Sequence, residues 1–411
     1  MAATREIFPG YKHSVGAWAL LIFRDEMLKY LELDQEGFEV FRPESSYTVF
    51  GDEGSVPFIG YCDPIDLANH LVEDHGFEAM QGFHEIASYF TIWKEVFDKY
   101  LGKPTPPVEE IIAGIEDEEA REAFATLTYG STVEVLRKFF PNSDIASTIQ
   151  GSLCASAVDG THLGPFSKGS AASLSYHYCC GDNYDFKIPK GGIGELSYAL
   201  ERVFKRYAEP LGGAVRYKDA VQSFMMNDGV VSGVKMKSGE EISAQAVVST
   251  LDAQSTFLRL ADREQLPTDY VAAVEEIEYT NGYIQIHLTL SDLPTFSGHM
   301  EFVNGTPQSY LMAYIKSPEH LHEAWNAYKD NRVPEDPAVY FYFPTQLDPQ
   351  LAPEGKHTCT LFAHYFPAHP PHGEFKAMKN EATENMLDVV ERVAPGFRDL
   401  IIDKATFTQH Y

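Results

Sequence analysis

The chain has 411 residues, 44% of them hydrophobic, and a formal net charge of −28. That length suits two domains or one large split domain, and the hydrophobic share supports a sizeable core. The charge excludes a nucleic-acid surface, which needs clustered Lys and Arg to displace counterions, and it repels an anionic membrane.

Twenty-seven Phe and 23 Tyr suit a packed core first and an apolar ligand tunnel second. The five cysteines are Cys62, Cys154, Cys179, Cys180 and Cys359. Their spacing matches no zinc site, so reduced thiols are expected, with a vicinal disulfide at Cys179-Cys180 as the alternative. The first residues lack the basic-then-apolar pattern of a secretory signal. The longest early apolar run, residues 17–23, is far short of the roughly 20 residues of a membrane span. A cytoplasmic protein is expected, or a mitochondrial matrix protein if a presequence precedes these residues. Nothing in the sequence sets an oligomeric state.

In chain order, residues 46–50 and 55–59 flank the turn sequence Gly51-Asp52-Glu53-Gly54 and predict a hairpin. Asp63 caps a helical stretch, with Pro64 at its first position, running to about Leu101. Pro104, Pro106 and Pro107 break it. A second helical block reaches about Ala157, and its acidic run 116–119 reads as a helix start. Residues 176–178, Tyr-His-Tyr, alternate like a strand. The clearest helix begins at Gly191-Gly192, with Ile193, Leu196, Leu200, Val203, Phe204 and Tyr207 on one face, and ends at Gly212-Gly213. Residues 214–217 predict a short strand, and 221–226 and 230–236 a hairpin about Asn227-Asp228-Gly229. Ser238-Gly239 predicts a turn and 246–249 a buried strand. Residues 277–365 predict a second sheet, from 283–290, 340–343 and 357–365, before a helix over 374–393.

The order of helix, Gly212-Gly213-Ala214-Val215-Arg216, Asn-Asp-Gly turn and the apolar run 246–249 resembles one family. So do Ala2-Ala3-Thr4, Pro9-Gly10-Tyr11, residues 14–17 and Pro189-Lys190-Gly191-Gly192-Ile193-Gly194. These residues resemble the phytoene dehydrogenase-like branch of the FAD-dependent amine-oxidase superfamily, along nearly the whole chain. No single motif decides it; the joint order does. The resemblance implies an α/β fold: an incomplete split FAD-binding domain resembling a Rossmann sheet, plus an inserted substrate domain with its own sheet and helices. It implies the division 1–60, a remnant of the FAD domain and the start of the substrate domain; 61–190, a mainly helical substrate domain; 191–260, a second FAD-domain segment; and 261–411, the substrate-domain sheet and closing helix. The family's Gly-x-Gly-x-x-Gly loop is absent from these residues. Gly192-Ile193-Gly194 has Ser197 in the third glycine's place and follows Pro189-Lys190, not a strand. The chain also stops at Gln409-His410-Tyr411, before the family's glycine-rich closing segment. The expectation is a flavoenzyme sequence truncated at both ends that binds FAD weakly or not at all.

The resemblance implies FAD contacts at Ala2, Ala3, Thr4, Ser14 and Gly16, and main-chain contacts to adenine at Ala220 and Val221. The turn at Gly191, Gly192 and Gly194 reads first as a tight helix entry and second as amides facing an anion. No catalytic triad or His-Glu-x-x-His motif is present; His84-Glu85 and His322-Glu323 lack the second histidine. His364, His369 and His372 sit among prolines, which excludes a metal-binding helix, and no metal is expected. His177 is the one weak catalytic candidate, as a polar residue lining a flavin cavity. The expected function is a flavin-dependent dehydrogenase or desaturase acting on an apolar small molecule. The alternatives are a redox-inactive remnant that binds a ligand or partner, and an amine oxidase with an aromatic cage for a cation.

Overall fold

The computed structural model describes residues 2–140, 146–180, 186–280 and 282–408. Strands β1 (Ala2–Phe8) and β2 (Tyr11–Gly16) form a hairpin turned at Gly10, where φ is +81°. Helix α1 (Asp25–Tyr30) and strand β3 (Val40–Phe41) lead to β4 (Ser45–Phe50) and β5 (Phe58–Tyr61). Helices α2 (Pro64–His70), α3 (Phe77–Tyr100), α4 (Val108–Ala113), α5 (Glu118–Tyr129), α6 (Thr132–Phe139), α7 (Ser147–Val158) and α8 (Ser170–Cys180) follow. Strand β6 (Ile188–Pro189) pairs with β3 and precedes α9 (Gly194–Ala208). Next come β7 (Val221–Asn227), β8 (Val230–Met236), β9 (Glu241–Ser243) and α10 (Thr268–Glu275). The remainder is β10 (Tyr283–Leu290), β11 (Leu311–Tyr314), α11 (Pro318–Lys329), β12 (Val339–Tyr342), β13 (His357–His364), α12 (Phe375–Val393), α13 (Phe397–Leu400) and β14 (Ile401–Thr408).

The chain forms two compact units, Met1–Val203 with Asn281–Tyr411, and Phe204–Thr280. In the first, seven strands of the described residues form one mixed sheet in the order β14-β10-β13-β12-β11-β4-β5. The β4–β5 hairpin expected from sequence is present, although its second arm starts three residues later than its apolar run suggested. It joins the later strands through a parallel pairing of β4 with β11, Met312 opposite Thr48. The strict alternation of β10 sorts its side chains. Ile284, Ile286, Leu288 and Leu290 enter a core with Phe341, Leu361 and the buried face of α12. The opposite face of the sheet meets the helical block, where Val49 and Ala313 join Phe90, Leu127, Ile149 and Leu174.

Helix starts follow the sequence chemistry. Asp63 Oδ1 accepts from the amides of Ile65 (2.8 Å) and Asp66 (3.2 Å), and Pro64 occupies the first turn of α2. Asp117 Oδ1 accepts from the Ala120 amide at 2.8 Å and begins α5. Cys62, Cys154 and Cys359 are free thiols; the side chain of Cys180, and with it the vicinal pairing with Cys179, lies outside the described residues. No described helix is long and apolar enough to cross a membrane.

In the second unit, β7 and β8 pair about Asp228 (φ +51°) and Gly229 (φ +75°). Positive φ at both central residues is the mirror-image turn that matches strand twist, as the Asn-Asp-Gly sequence implied. Two expected strands are absent. Residues 214–217 and 246–249 are irregular, and Val248 is 88% exposed instead of buried. The ladder of β9 ends where the Ala244 amide donates to the Ser232 carbonyl, and no described strand pairs with the apolar residues beyond it. An apolar run states a preference for a sheet interior, but a strand also needs a neighbour to bond. The stripe on α9 is likewise half fulfilled. Ile193 and Leu196 are buried, whereas Phe204 and Tyr207 are exposed.

Phe341, fully buried on β12, should lower unfolding stability by about 3–5 kcal/mol when changed to alanine. Val248→Ala should stay within about 0.5 kcal/mol. Urea denaturation of both variants checks the contrast, and equal effects would contradict this assignment of core and surface.

Candidate active-site cavity

The sheet face turned away from α12 carries the second set of alternating residues, and these line a cavity of about 420 Å³ in the first unit. Tyr283 and Gln285 reach it from β10, Tyr340 from β12, and Phe362 and His364 from β13. Trp18, just past β2, closes the wall, with ring centroids 5.6 Å from Phe362 and 6.3 Å from Tyr340. Phe362 in turn meets His364 edge-on at 4.7 Å. Such edge and tilted contacts fix aromatic side chains beyond what area burial alone does. Leu153, Ser156 and Asp159 of α7 and its C-terminal end, with Leu174 and His177 of α8, supply the other side.

The β1–β2 hairpin gathers several residues singled out from sequence. Ala2 pairs with Gly16, Ala3 with Val15 and Thr4 with Ser14; the side chain of Ala2 lies outside the described residues. Gly16, at φ +85°, lines the cavity and is clamped by Gln285. Its amide donates to Gln285 Oε1 at 3.0 Å, and Gln285 Nε2 donates to its carbonyl at 2.7 Å. One side-chain amide thus satisfies both polar groups of one peptide position.

Thr4 and Ser14 turn the other way, towards the entry of α9. Thr4 Oγ1 accepts from the Gly194 amide at 2.9 Å, and Ser14 Oγ from the Ile193 amide at 3.1 Å. The Gly191 amide donates to Asp348 Oδ2 at 2.6 Å and the Gly192 amide to the Pro189 carbonyl at 3.0 Å. The amides of this turn are therefore committed to protein acceptors, and no anion site remains on them. The glycines have a steric reason. A Cβ on Gly192 would lie 2.5 Å from Thr4 Oγ1, and one on Gly194 2.5 Å from the Thr4 backbone nitrogen. Ala220 and Val221 belong to the second unit. The Ala220 carbonyl accepts from the Lys237 amide, and Val221 begins β7 opposite Met236.

His177 lines the cavity, but from a helix and not a strand. Three alternating residues cannot define a period, and the buried set Ala171, Leu174 and Ser175 with half-buried Tyr178 follows helical spacing. Its Nδ1 lies 2.9 Å from the Ser173 carbonyl. A carbonyl only accepts, so Nδ1 donates this hydrogen bond and Nε2 is the nitrogen left for other contacts. The loop histidines His369 and His372 are exposed, while His364 belongs to the cavity. Among the described residues no three metal-ligating side chains come together.

Sequence reasoning missed a pair of buried histidines beside the clamp. His13 of β2 and His287 of β10 stand edge to face at 5.2 Å. Among the described residues, both ring nitrogens of His13 and Nε2 of His287 lack hydrogen-bond partners, while His287 Nδ1 sits 3.2 Å from Thr360 Oγ1. Burial, and secondarily the His287 ring, lowers His13 to about 3; burial lowers His287 to about 4. Both are neutral near pH 7. The available signal was in β10 itself, where Gln285 and His287 alternate with aliphatic residues and so share the face of Tyr283.

Residues 105–399 match the model of the family described as flavin containing amine oxidoreductase. The chain belongs to this family. Pyridine nucleotide-disulfide oxidoreductase domain-containing protein 2 of Rattus norvegicus is 25% identical over 442 residues, covering 99% of this chain and 74% of the relative. The neurosporene-forming phytoene desaturase of Cereibacter sphaeroides is 26% identical over 225 residues, covering 53% of this chain and 40% of the relative. The crystal structure of an oxidoreductase from Methanosarcina mazei superposes with a TM-score of 0.58 at 16% identity, over 98% of this chain and 78% of that one. Reduced UDP-galactopyranose mutase gives 0.51 at 12% identity, over 99% and 74%. At such identities the two structures establish a shared mixed α/β fold.

The family's flavin poses two separate demands. Its ring needs a flat, partly apolar slot that the backbone can approach closely. Gly16, without a side chain and held by Gln285 at the cavity edge beside Trp18, meets that demand. Its diphosphate needs uncommitted main-chain donors. The α9 entry does not supply them, because Thr4, Ser14, Pro189 and Asp348 already occupy its amides.

Gly194→Ala should cost about 1–3 kcal/mol by pushing the helix entry off the hairpin. An unchanged urea midpoint would refute the close approach. The neutral histidines give a signed pH dependence. Unfolded histidines bind a proton below about 6.5 while folded His13 and His287 do not, so stability falls as the pH drops below 6.5. Between pH 7 and 5 each contributes a loss on the order of 2 kcal/mol. His13→Phe/His287→Phe should show a shallower loss over that interval, and a slope matching the wild type would assign the acid sensitivity elsewhere.

Proposed function

We propose that the chain is a flavin-dependent oxidoreductase of the dehydrogenase or desaturase type, acting on a carbon–carbon bond of an apolar small molecule held in the cavity of Trp18, Tyr340 and Phe362. The observation that carries this reading is the aromatic wall on one sheet face, adjoining the clamped Gly16. Membership of a flavin-containing family supplies the cofactor class, and the desaturase names among the relatives supply the substrate class. Bound flavin provides the hydride acceptor or donor; the protein supplies position and exclusion of water. The aromatic rings offer flat, desolvated surface, His177 offers a polar ring edge, and Gly16 sets the depth at which a ring can lie against the backbone.

We further propose that this chain holds FAD weakly. The committed amides of α9 support that reading, since each charge-assisted bond to a diphosphate is worth roughly 1.5–3 kcal/mol. The same observation favours a second reading, a redox-inactive ligand-binding protein. Amine oxidation is the third reading, because Asp159 and the aromatic rings line one cavity, as a bound cation would require.

Reconstitution at saturating FAD followed by anaerobic bleaching of the flavin with apolar alkenes, alkanes and amines separates the three. Alkene or alkane turnover that drops more than about 10-fold in Phe362→Ala is expected. Bleaching by amines alone would favour amine oxidation. No flavin absorbance gained on reconstitution would leave the redox-inactive reading. A flavin titration reaching micromolar affinity or tighter would overturn the weak-binding proposal.

A further inference from the structure

The cavity is not uniformly apolar, and its polar atoms are arranged. His364 is 7% exposed and has no hydrogen-bond partner among the described residues; its contacts are the rings of Phe362, Tyr340 and Tyr365. The hydroxyl of Tyr340, whose ring lies 5.9 Å from that of His364, is also without a partner among the described residues. Tyr283 stands opposite His364 in the ladder of β10 and β13. All three line the cavity, and so does the exposed Asp159. Buried polar groups in native proteins have partners. Here the open side of each faces the volume that a ligand would fill.

We propose that the cavity's ligand is an amphiphile, an apolar body carrying a neutral hydroxyl that binds between His364 and Tyr340. This rests on the reading of the cavity as the substrate site and narrows its substrate class. Proton bookkeeping selects the head group. Burial holds His364 in its neutral form, against the weaker opposing pull of Asp159, so it presents one donor and one acceptor. Burial likewise keeps the Tyr340 phenol protonated, as both donor and acceptor. A ligand hydroxyl donates one hydrogen bond and accepts another, which gives each residue one partner and lets the N–H of His364 find an acceptor. A pure hydrocarbon leaves both unsatisfied inside a desolvated wall. An ammonium only donates, so the N–H of His364 would still lack an acceptor. A carboxylate only accepts, and it would enter a cavity that already holds the Asp159 charge, in a chain of net charge −28. The apolar body then lies on Trp18 and Phe362, two large rings without a hydroxyl in the same wall.

The test uses three matched probes on the full chain without flavin: 4-phenylbutan-1-ol, butylbenzene and 4-phenylbutylamine, with affinities from ligand-observed NMR at pH 7.5. The alcohol should bind about 10-fold tighter than butylbenzene. Tyr340→Phe/His364→Phe keeps ring-shaped side chains at both positions, and it should bring the alcohol to within about 3-fold of the hydrocarbon. Equal binding of alcohol and hydrocarbon by the wild type, or a preference that survives the double change, overturns the hydroxyl site and leaves the apolar-substrate reading standing. Tighter binding of the amine overturns it in favour of a cationic head. Failure of all three probes to bind overturns both the hydroxyl site and the cavity's role as a substrate site, whereas the flavin chemistry stands or falls on the bleaching assay.

Discussion

Strand β10 imposes the constraint on which the rest of the first unit depends. Its backbone must keep strict alternation over Tyr283–Leu290, because one face is needed by the aliphatic core and the other by the cavity. A slip of one residue would exchange the two faces and place Gln285 and His287 among the aliphatic side chains packed on α12. The ladder to β13 on one side and β14 on the other holds that register along the whole strand. From it follow the clamp on Gly16, the histidine pair and the position of the aromatic wall.

The sequence made much of this legible and hid the rest for identifiable reasons. Alternation in β10, the capping chemistry of Asp63 and Asp117, and the Asn-Asp-Gly turn are local signals, and each corresponds to an element found. The strand expected at 246–249 required a partner that local sequence cannot specify. The helix around His177 was misread because three residues carry too little periodicity. The cavity is the least local feature. Trp18, Asp159 and the β12–β13 pair carrying Tyr340 and His364 come from three distant parts of the chain, and nothing in their spacing announces that they meet. Thr4, Ser14 and Gly16 were singled out by resemblance, and only Gly16 faces the cavity; the other two hold α9.

The entry to α9 shows how one motif can serve either binding or architecture. A glycine-rich turn before a helix offers oriented amides, and the same amides can be satisfied from within the protein. Thr4, Ser14 and Asp348 do so here from two separate segments, joining the β1–β2 hairpin and the loop after β12 to the helix. Two glycines that suggest a ligand are explained by the closeness of Thr4. The helix dipole still favours an acceptor at this end, and hydroxyl and carboxylate oxygens provide it.

The parallel pairing of β4 with β11 also orders events in time. Thr48 and Met312 are adjacent in the sheet yet lie in the two separate sequence segments of the first unit. On a ribosome, the helices between Phe77 and Cys180 emerge and can associate through local contacts long before β11 exists. β4 and β5 must wait as an isolated hairpin, too small to persist alone. The nascent chain therefore displays an unpaired, apolar edge at Val49 and Phe50 until β11 emerges, and its need for chaperone cover should be greatest in that interval.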